Sequence, residues 1–223
     1  MHTFATTAPV AAVLDIPAGH IRLIAADRAD TTVDVRPANA AKSADTKAAE
    51  RITVDFTDGV LRIAAAPPTN RILGTSGSVE VTVQLPAGSR VQARTATGEL
   101  RGVGRLGEVT FDGAQGTVKL DETTHARLTL LDGDITVGRL TGPAEISTQK
   151  GDLRITEATR GTLTLRTEAG DIEIAAARGV SASLDAGTAH GRIHNALGTT
   201  GSPTPDLTVH ATTAYGDITA RSL

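Results

Sequence analysis

Apolar and polar residues alternate along most of this chain, and glycines interrupt the alternation at nearly regular intervals. Seven times a glycine is followed two residues later by isoleucine, valine or leucine, and usually by a second apolar residue two places further on. The seven units are marked by Gly98, Gly116, Gly133, Gly151, Gly170, Gly191 and Gly216. These glycines stand 18, 17, 18, 19, 21 and 25 residues apart. A period of about 20 residues is typical of a solenoid.

Each unit also has a pair of residues ahead of its glycine, spaced two apart as in a strand with one buried face. The pairs are Val91/Ala93, Val109/Phe111, Leu128/Leu130, Ile146/Thr148, Leu163/Leu165, Ala182/Leu184 and Leu207/Val209, with one polar member. The first member precedes its glycine by 7, 7, 5, 5, 7, 9 and 9 residues, always an odd number. Because side chains alternate between faces, odd offsets keep the same strand face buried in every unit.

This pattern predicts coils made of a strand, a glycine turn, a second strand and a return turn. Equivalent strands stacked at about 4.8 Å per coil would form two parallel sheets around a narrow aliphatic core. Glycine supplies the positive φ that a tight corner needs. An antiparallel meander of hairpins could carry the same alternation, although it would not require similar units at one period. We therefore predict an all-β fold, a single-chain parallel β-solenoid with two sheets.

The first 78 residues are less regular and are predicted to form an N-terminal β cap. Three short strands are expected at residues 10–16, 20–25 and 31–36, followed by a polar insertion at 37–50. Within the insertion, Ser43 could cap a short helix that ends at Glu50, and a mobile loop is the alternative. A further strand pair is expected around the turn Asp58-Gly59, a favourable hairpin dipeptide.

Two irregular segments interrupt the β pattern. Residues 64–78 contain Pro67-Pro68 and two glycines, and they predict the boundary between the cap and one continuous repeat domain at 79–223. Residues 198–205 are predicted to form a loop between the sixth and seventh units, which accounts for the glycine spacing of 25.

Composition narrows the range of functions. Aromatic residues make up only 2% of the chain, which fits a narrow aliphatic core and disfavours carbohydrate or single-stranded nucleic-acid platforms built on stacking rings. The net charge is −3, and the 22 basic and 25 acidic residues are interspersed. The sequence therefore does not indicate a basic surface that binds nucleic-acid phosphates or an anionic membrane. The absence of cysteine excludes a disulfide framework and thiolate metal sites.

The amino terminus lacks a basic leader, and its apolar run from Val10 to Leu14 is too short for a signal peptide. No stretch approaches the roughly 20 apolar residues of a membrane span. We therefore expect a cytoplasmic protein without membrane insertion. Export is the alternative if a leader has been removed from this chain.

One sequence resemblance adds to this interpretation. Residues 81–89 read Val-Thr-Val-Gln-Leu-Pro-Ala-Gly-Ser and are followed by repeated Thr-x-x-Gly-Asp-Ile/Leu units. In these features the chain resembles the bacterial β-strand-repeat family of "putative adhesins", a domain of unknown function also called toast-rack. The resemblance covers essentially the whole chain, including the N-terminal β segments and the polar insertion. It implies a solenoid fold, an adhesin-like role and no known catalysis.

The most regular polar feature is a carboxylate directly after the glycine, at Asp134, Asp152, Asp171 and Asp217. Stacked on one edge, these residues could bind calcium or serve in acid/base chemistry. We instead interpret them as structural residues that bond backbone N–H groups of the turn. Calcium-binding solenoids use several aspartates per coil, whereas each coil here has a single carboxylate.

Other candidate motifs have ordinary structural explanations. His190 and His194 share a parity, but along an extended strand they would lie about 13 Å apart, too far to bind one metal ion together unless Gly191 folds the chain back. The string from Gly102 to Gly107 matches G-x-G-x-x-G, but the residues that follow predict a strand where a dinucleotide site needs a helix. Outward residues Thr110, Thr129, Ser147, Thr164 and Thr208 could form an ice- or crystal-binding plane, yet threonine is common on exposed strands.

We interpret the chain as a non-enzymatic binding protein without cofactor or metal, whose partner is an unidentified protein or envelope component. The candidate binding surface comprises Thr129, Ser147, Arg154, Thr164, Arg166 and Glu173. One alternative is a carbohydrate-active enzyme on the same scaffold, for which Arg154, Arg166, Asp171 and Glu173 are the candidate cluster. Another is a structural protein that assembles as a homo-oligomer through the solenoid ends, because uncapped terminal coils expose strand edges.

Overall fold

The computed structural model describes residues 1–66, 77–198 and 205–223. These residues form one helix, α1 (Ser43–Glu50), and seventeen strands. The strands are β1 (His2–Ala5), β2 (Ala11–Asp15), β3 (Ala18–Ala26), β4 (Asp30–Pro37), β5 (Ile52–Thr57), β6 (Val60–Ala65), β7 (Val79–Pro86), β8 (Arg90–Asp132), β9 (Ile135–Leu140), β10 (Ala144–Lys150), β11 (Leu153–Ala158), β12 (Gly161–Ala169), β13 (Ile172–Ala176), β14 (Ala182–His190), β15 (Ile193–Ala196), β16 (Leu207–Tyr215) and β17 (Ile218–Ser222).

The strands are arranged in two stacks. The first stack runs in the order β5, β6, β2, β8, β10, β12, β16 and β14. The second runs in the order β1, β4, β7, β3, β8, β9, β11, β13, β17 and β15. The pairs β1–β4, β4–β7 and β5–β6 at one end are antiparallel, and all other pairings in the two stacks are parallel. The long strand β8 belongs to both stacks. The predicted all-β solenoid with two sheets is therefore confirmed, and β8 makes the two sheets continuous.

The core lies between the two stacks and consists almost entirely of aliphatic side chains. The predicted inward pairs are buried, with Leu184 the exception. Phe111 is the one aromatic ring among the fully buried side chains of the described residues. The odd offsets from each glycine therefore identify the buried face correctly. Leu184 of β14 differs, because it is only partly buried.

The corner glycines are stacked on one another along the solenoid. Gly151 has a φ of +137°, and a Cβ atom added to it would lie 2.2 Å from the carbonyl oxygen of Gly133 in the coil beneath. The same close approach occurs at Gly116, where the distance to the Gly98 carbonyl oxygen would be 1.6 Å. These corners thus need glycine both for the backbone conformation and for the space beneath it, whereas Gly191 lacks the positive φ and needs glycine for space alone.

The coils do not follow chain order at the carboxy-terminal end. Strand β16 of the seventh unit pairs with β12 on one side and with β14 of the sixth unit on the other. Strand β17 lies in the same way between β13 and β15. The seventh coil is therefore inserted between the fifth and the sixth. The order of the coils therefore differs from chain order for the last two, and the sixth coil forms the end of the solenoid.

The N-terminal part contains the predicted strands and one that the sequence did not indicate. The predicted hairpin is confirmed, since β5 and β6 are antiparallel and Asp58 and Gly59 have φ values of +51° and +76°. Strand β1 pairs antiparallel with β4. Its short, mostly exposed sequence has no strong alternation, which is why it was not predicted.

Helix α1 forms over the predicted residues, but the predicted cap is wrong. Lys42 occupies the N-cap position without a side-chain hydrogen bond, and Ser43 is the first residue of the helix itself. Asp45 holds the helix instead, because its buried carboxylate accepts hydrogen bonds from the backbone N–H groups of Asn39 and Ser78. Tertiary contacts thus replace the local cap.

Most of the predicted boundary at 64–78 and of the predicted loop at 198–205 lies outside the described residues. The division into a cap and a repeat domain remains a prediction. Within the described ranges, no helix is long and apolar enough to span a membrane.

Candidate functional site

The six residues of the predicted binding surface lie on two different surfaces. Thr129, Ser147, Thr164 and Arg166 point outward from the first stack, on β8, β10 and β12. Arg154 and Glu173 point outward from the second stack, on β11 and β13. The fold therefore divides the predicted set in two.

A row of hydroxyl side chains with one arginine crosses the first stack. In register, Thr129 pairs with Ser147, Ser147 with Arg166, and Arg166 with Thr212. We call these four residues the outer strip. Arg166 forms no ion pair with any residue that the structure describes, whereas Arg127 on the same face contacts Glu145 at 3.4 Å. The outer strip therefore presents an exposed guanidinium among hydroxyl groups.

The outward threonines do not form one continuous row. Thr164 lies in register with Glu145 and His210, and Thr208 lies in register with Thr162 and Ser183. Charged side chains thus interrupt the plane that an ice- or crystal-binding surface would need.

On the second stack, Arg154 and Glu173 form an ion pair at 2.5 Å, and Arg221 approaches the same carboxylate at 4.0 Å. A shallow depression of about 360 Å³ lies beside this pair and is lined also by Asp152 and Asp171. Arg166 points outward from the other stack. The cluster suggested for a carbohydrate-active enzyme is therefore incomplete on this surface.

The carboxylates after the corner glycines form a ladder of hydrogen bonds. The Oδ1 atom of Asp134 accepts a hydrogen bond from the backbone N–H of Asp152 at 2.9 Å, and Asp152 accepts one from Asp171 at 2.8 Å. Asp171 accepts one from Asp217 at 2.7 Å, and Asp217 accepts one from Arg192 at 2.8 Å. These bonds connect neighbouring coils, rather than closing a turn within one coil.

A second ladder, which sequence reasoning did not identify, lies on the buried side of the same corner. Thr148 and Thr167 donate hydrogen bonds to the carbonyl oxygens of Gly133 at 3.3 Å and Gly151 at 3.1 Å. Thr213 and Thr188 continue the ladder. The Thr-x-x-Gly spacing was visible in the sequence, but it does not reveal that the acceptor is in the coil beneath.

The histidines occupy separate surface positions. His190 stacks on Tyr215 with ring centroids 4.8 Å apart, and His210 contacts Asp185 at 3.2 Å. The described part of the chain contains no group of three or more histidine, cysteine or acidic side chains arranged to bind a metal ion.

Near the N-terminal end, an arginine perturbs one carboxyl group. Arg28 donates hydrogen bonds from Nε and Nη2 to Asp30 at 2.9 and 3.0 Å, and this lowers the pKa of Asp30 below its ordinary value. Arg28 also donates to Gln84 on β7. The group links the turn between β3 and β4 to the neighbouring strand and therefore has a structural role.

Comparisons with known proteins agree with this architecture. A family model described as Toastrack DUF4097 matches residues 12–221. A structure from Parabacteroides distasonis ATCC 8503, described as a "putative lipid binding protein", is 11% identical with a TM-score of 0.52, and the alignment covers 98% of this chain and 95% of that one. A "putative adhesin" from Bacteroides fragilis NCTC 9343 is 13% identical with a TM-score of 0.47, over 98% and 95% of the two chains.

Another "putative adhesin" from Parabacteroides distasonis ATCC 8503 is 12% identical with a TM-score of 0.45, again over 98% and 95%. At these identities the likeness concerns the fold alone. None of these descriptions names an enzymatic activity. No curated protein sequence matches the chain.

Proposed function

The chain belongs to the Toastrack DUF4097 family, and on that premise we propose that it is a non-catalytic, adhesin-like binding protein. Its partner is a protein or an envelope component that carries acidic groups. The observation that carries this proposal is the guanidinium of Arg166 within the outer strip, which has no acidic partner among the described residues.

The surroundings of Arg166 favour an extended acidic ligand. Ser147 on one neighbouring strand and Thr212 on the other supply hydroxyl groups beside the guanidinium. An arginine can bind a carboxylate or phosphate through two parallel N–H donors, and hydroxyl groups can add further hydrogen bonds. Because the strands are parallel and evenly spaced, the row runs across the strands and suits a long, regular ligand better than a compact one.

The corner carboxylates already have a structural role. Asp152 and Asp171 each accept a backbone N–H from the neighbouring coil through Oδ1. These charge-assisted bonds between coils account for the two residues without a substrate. We therefore assign these residues to the scaffold, and the carbohydrate-active alternative gains no support from them.

The test is an affinity capture with the purified chain as bait, from cytosolic and envelope fractions separately, followed by mass spectrometry. Arg166→Glu should reduce the captured amount of the main partner at least about tenfold, since it replaces an attraction with a repulsion. Arg178→Glu is the matched control, because Arg178 is exposed in a return turn away from the outer strip and changes the net charge equally.

Equal capture by the wild-type chain and Arg166→Glu would contradict the proposed surface. Hydrolysis of a glycan by the wild-type chain, lost in Asp152→Ala/Asp171→Ala with the fold intact, would contradict the proposed function itself. The fraction that supplies the partner also tests the predicted cytoplasmic location.

A further inference from the structure

The sixth coil leaves apolar residues exposed at positions that are buried in the neighbouring coils. Ile193 is 46% exposed, whereas Ile218 and Ile172, which occupy the same position in the next two coils, are 0% and 1% exposed. Leu184 is partly buried, whereas Val209, its register partner on β16, is 0% exposed. The apolar core of the solenoid thus extends into the sixth coil, where its side chains are partly exposed to solvent.

The same coil presents unpaired backbone groups. Within the described residues, β14 pairs with β16 alone, in parallel register. The backbone N–H of Leu207 donates to the carbonyl oxygen of Ser181, and in a parallel ladder alternate residues use both their N–H and C=O groups on one side. The N–H and C=O groups of Leu184, Ala186 and Thr188 therefore point away from β16. Another β-strand can form hydrogen bonds with these backbone groups of the edge strand.

The corner of the sixth coil disfavours a further parallel coil. Along the ladder, each aspartate carboxylate accepts the backbone N–H of the next coil, but the sixth coil has Arg192 at this position. A guanidinium has no acceptor to offer. An incoming parallel corner would therefore lack the carboxylate bond that joins the corners from Gly133 to Gly191. Antiparallel pairing avoids this corner.

We propose that β14 pairs antiparallel with β14 of a second copy of this chain about a twofold axis. Centred on Ala186, this register overlaps residues 183–189, because the backbone N–H of Ala182 already donates to the carbonyl oxygen of Gly198. Leu184 of one copy then lies opposite Thr188 of the other, both on the core side. Asp185, the one acidic residue of the strand, lies opposite Gly187, which leaves room for its carboxylate and places no like charge directly across.

The opposite end of the solenoid favours a closed dimer over a filament. Phe4 and Phe56 stack there with ring centroids 5.1 Å apart and pack against the core, together with Ala48 and Ala49 of α1. The terminal strands at that end, β1 and β5, run antiparallel to their neighbours. Because the two ends differ, an isologous contact through β14 closes at two copies.

Sedimentation velocity over a range of concentrations tests this proposal on the full chain. The wild-type chain should be in equilibrium between monomer and dimer. Ala186→Pro removes an N–H that faces the second copy without removing a bond to β16, so it should weaken dimerisation at least about tenfold. Ala186→Ser retains the N–H and should dimerise like the wild-type chain.

A wild-type chain that stays monomeric, an Ala186→Pro variant that dimerises normally, or larger oligomers would each overturn the proposal. If Ala186→Pro fails to fold, hydrogen exchange of the wild-type chain decides instead. The backbone amides of residues 182–190 should exchange more slowly at protein concentrations at which the dimer predominates. Unchanged exchange of these amides would overturn the inference. Arg166 lies on β12, two strands away from β14, so capture through Arg166 can fail or succeed independently of dimerisation.

Discussion

At the residue scale, each corner of the solenoid depends on a glycine whose missing side chain makes room for the coil beneath. The need for glycine could be predicted from the sequence, because the seven units share it at nearly constant spacing. The steric reason for the glycine could not be predicted from the sequence. The carbonyl oxygen that would collide with a Cβ atom at Gly151 belongs to Gly133, which is 18 residues away in the chain.

Substituting a corner glycine should therefore destabilise the protein strongly. Gly151→Ala combines a φ of +137° with a Cβ contact of 2.2 Å to a backbone oxygen. We expect the free energy of unfolding to fall by at least about 2 kcal/mol, measured by chemical denaturation.

Gly187→Ala is the matched control, because a methyl group added to this glycine would have no atom of the described residues within 4 Å, and Gly187 is exposed. Its effect should stay within about 1 kcal/mol. Equal losses in the two variants would contradict the stacking explanation.

At the scale of elements, neighbouring coils are joined by side-chain hydrogen bonds in addition to the backbone ladder. From the corner at Gly133 onward, threonine hydroxyls on the buried side and aspartate carboxylates on the exposed side bond each corner to an adjacent one. Sequence alternation predicted the strands and their buried faces, since a period of two is a local property. It did not predict the partners of these polar side chains, which depend on how the coils are stacked.

The buried ladder should contribute measurably to stability. Thr167→Val removes the hydrogen bond to the carbonyl oxygen of Gly151 at 3.1 Å and keeps the side-chain shape. Thr167 is 2% exposed, so the carbonyl oxygen loses a partner inside the protein. We expect a loss of about 1 kcal/mol in the free energy of unfolding.

Thr164→Val is the control on the same strand, because Thr164 points outward to solvent. Its effect should lie within about 0.5 kcal/mol. Thermal or chemical denaturation of both variants gives the comparison, and a larger loss at Thr164 than at Thr167 would contradict the role of the ladder.

At the scale of the whole molecule, the order of the last two coils determines which surface ends the solenoid. Parity could not predict this order, because the first inward residue precedes the glycine by nine positions in both the sixth and the seventh unit. Three residues of the sixth unit did signal a terminal position: Arg192 in place of aspartate, Asn195 at an inward position and Gly187 within a strand. The seventh unit has Ala220 in register with Asn195, and this apolar residue suits an interior position.

The seventh coil lies between the fifth and the sixth, and a distance measurement between spin labels tests this order most directly. The chain has no cysteine, so pairs of introduced cysteines are the sole attachment sites. One doubly labelled variant carries Gln92→Cys and Thr212→Cys, and the other carries Gln92→Cys and Gly187→Cys. Dilution with unlabelled protein removes distances between copies.

Strand β8 supplies three successive coils of the first stack, so residue 212 lies five strand spacings from residue 92 and residue 187 lies six. At about 4.8 Å per strand, we expect about 24 Å between residues 92 and 212 and about 29 Å between residues 92 and 187. Coils stacked in chain order would reverse the two distances. A longer distance to residue 212 than to residue 187 would therefore contradict the coil order, and with it the open edge at β14.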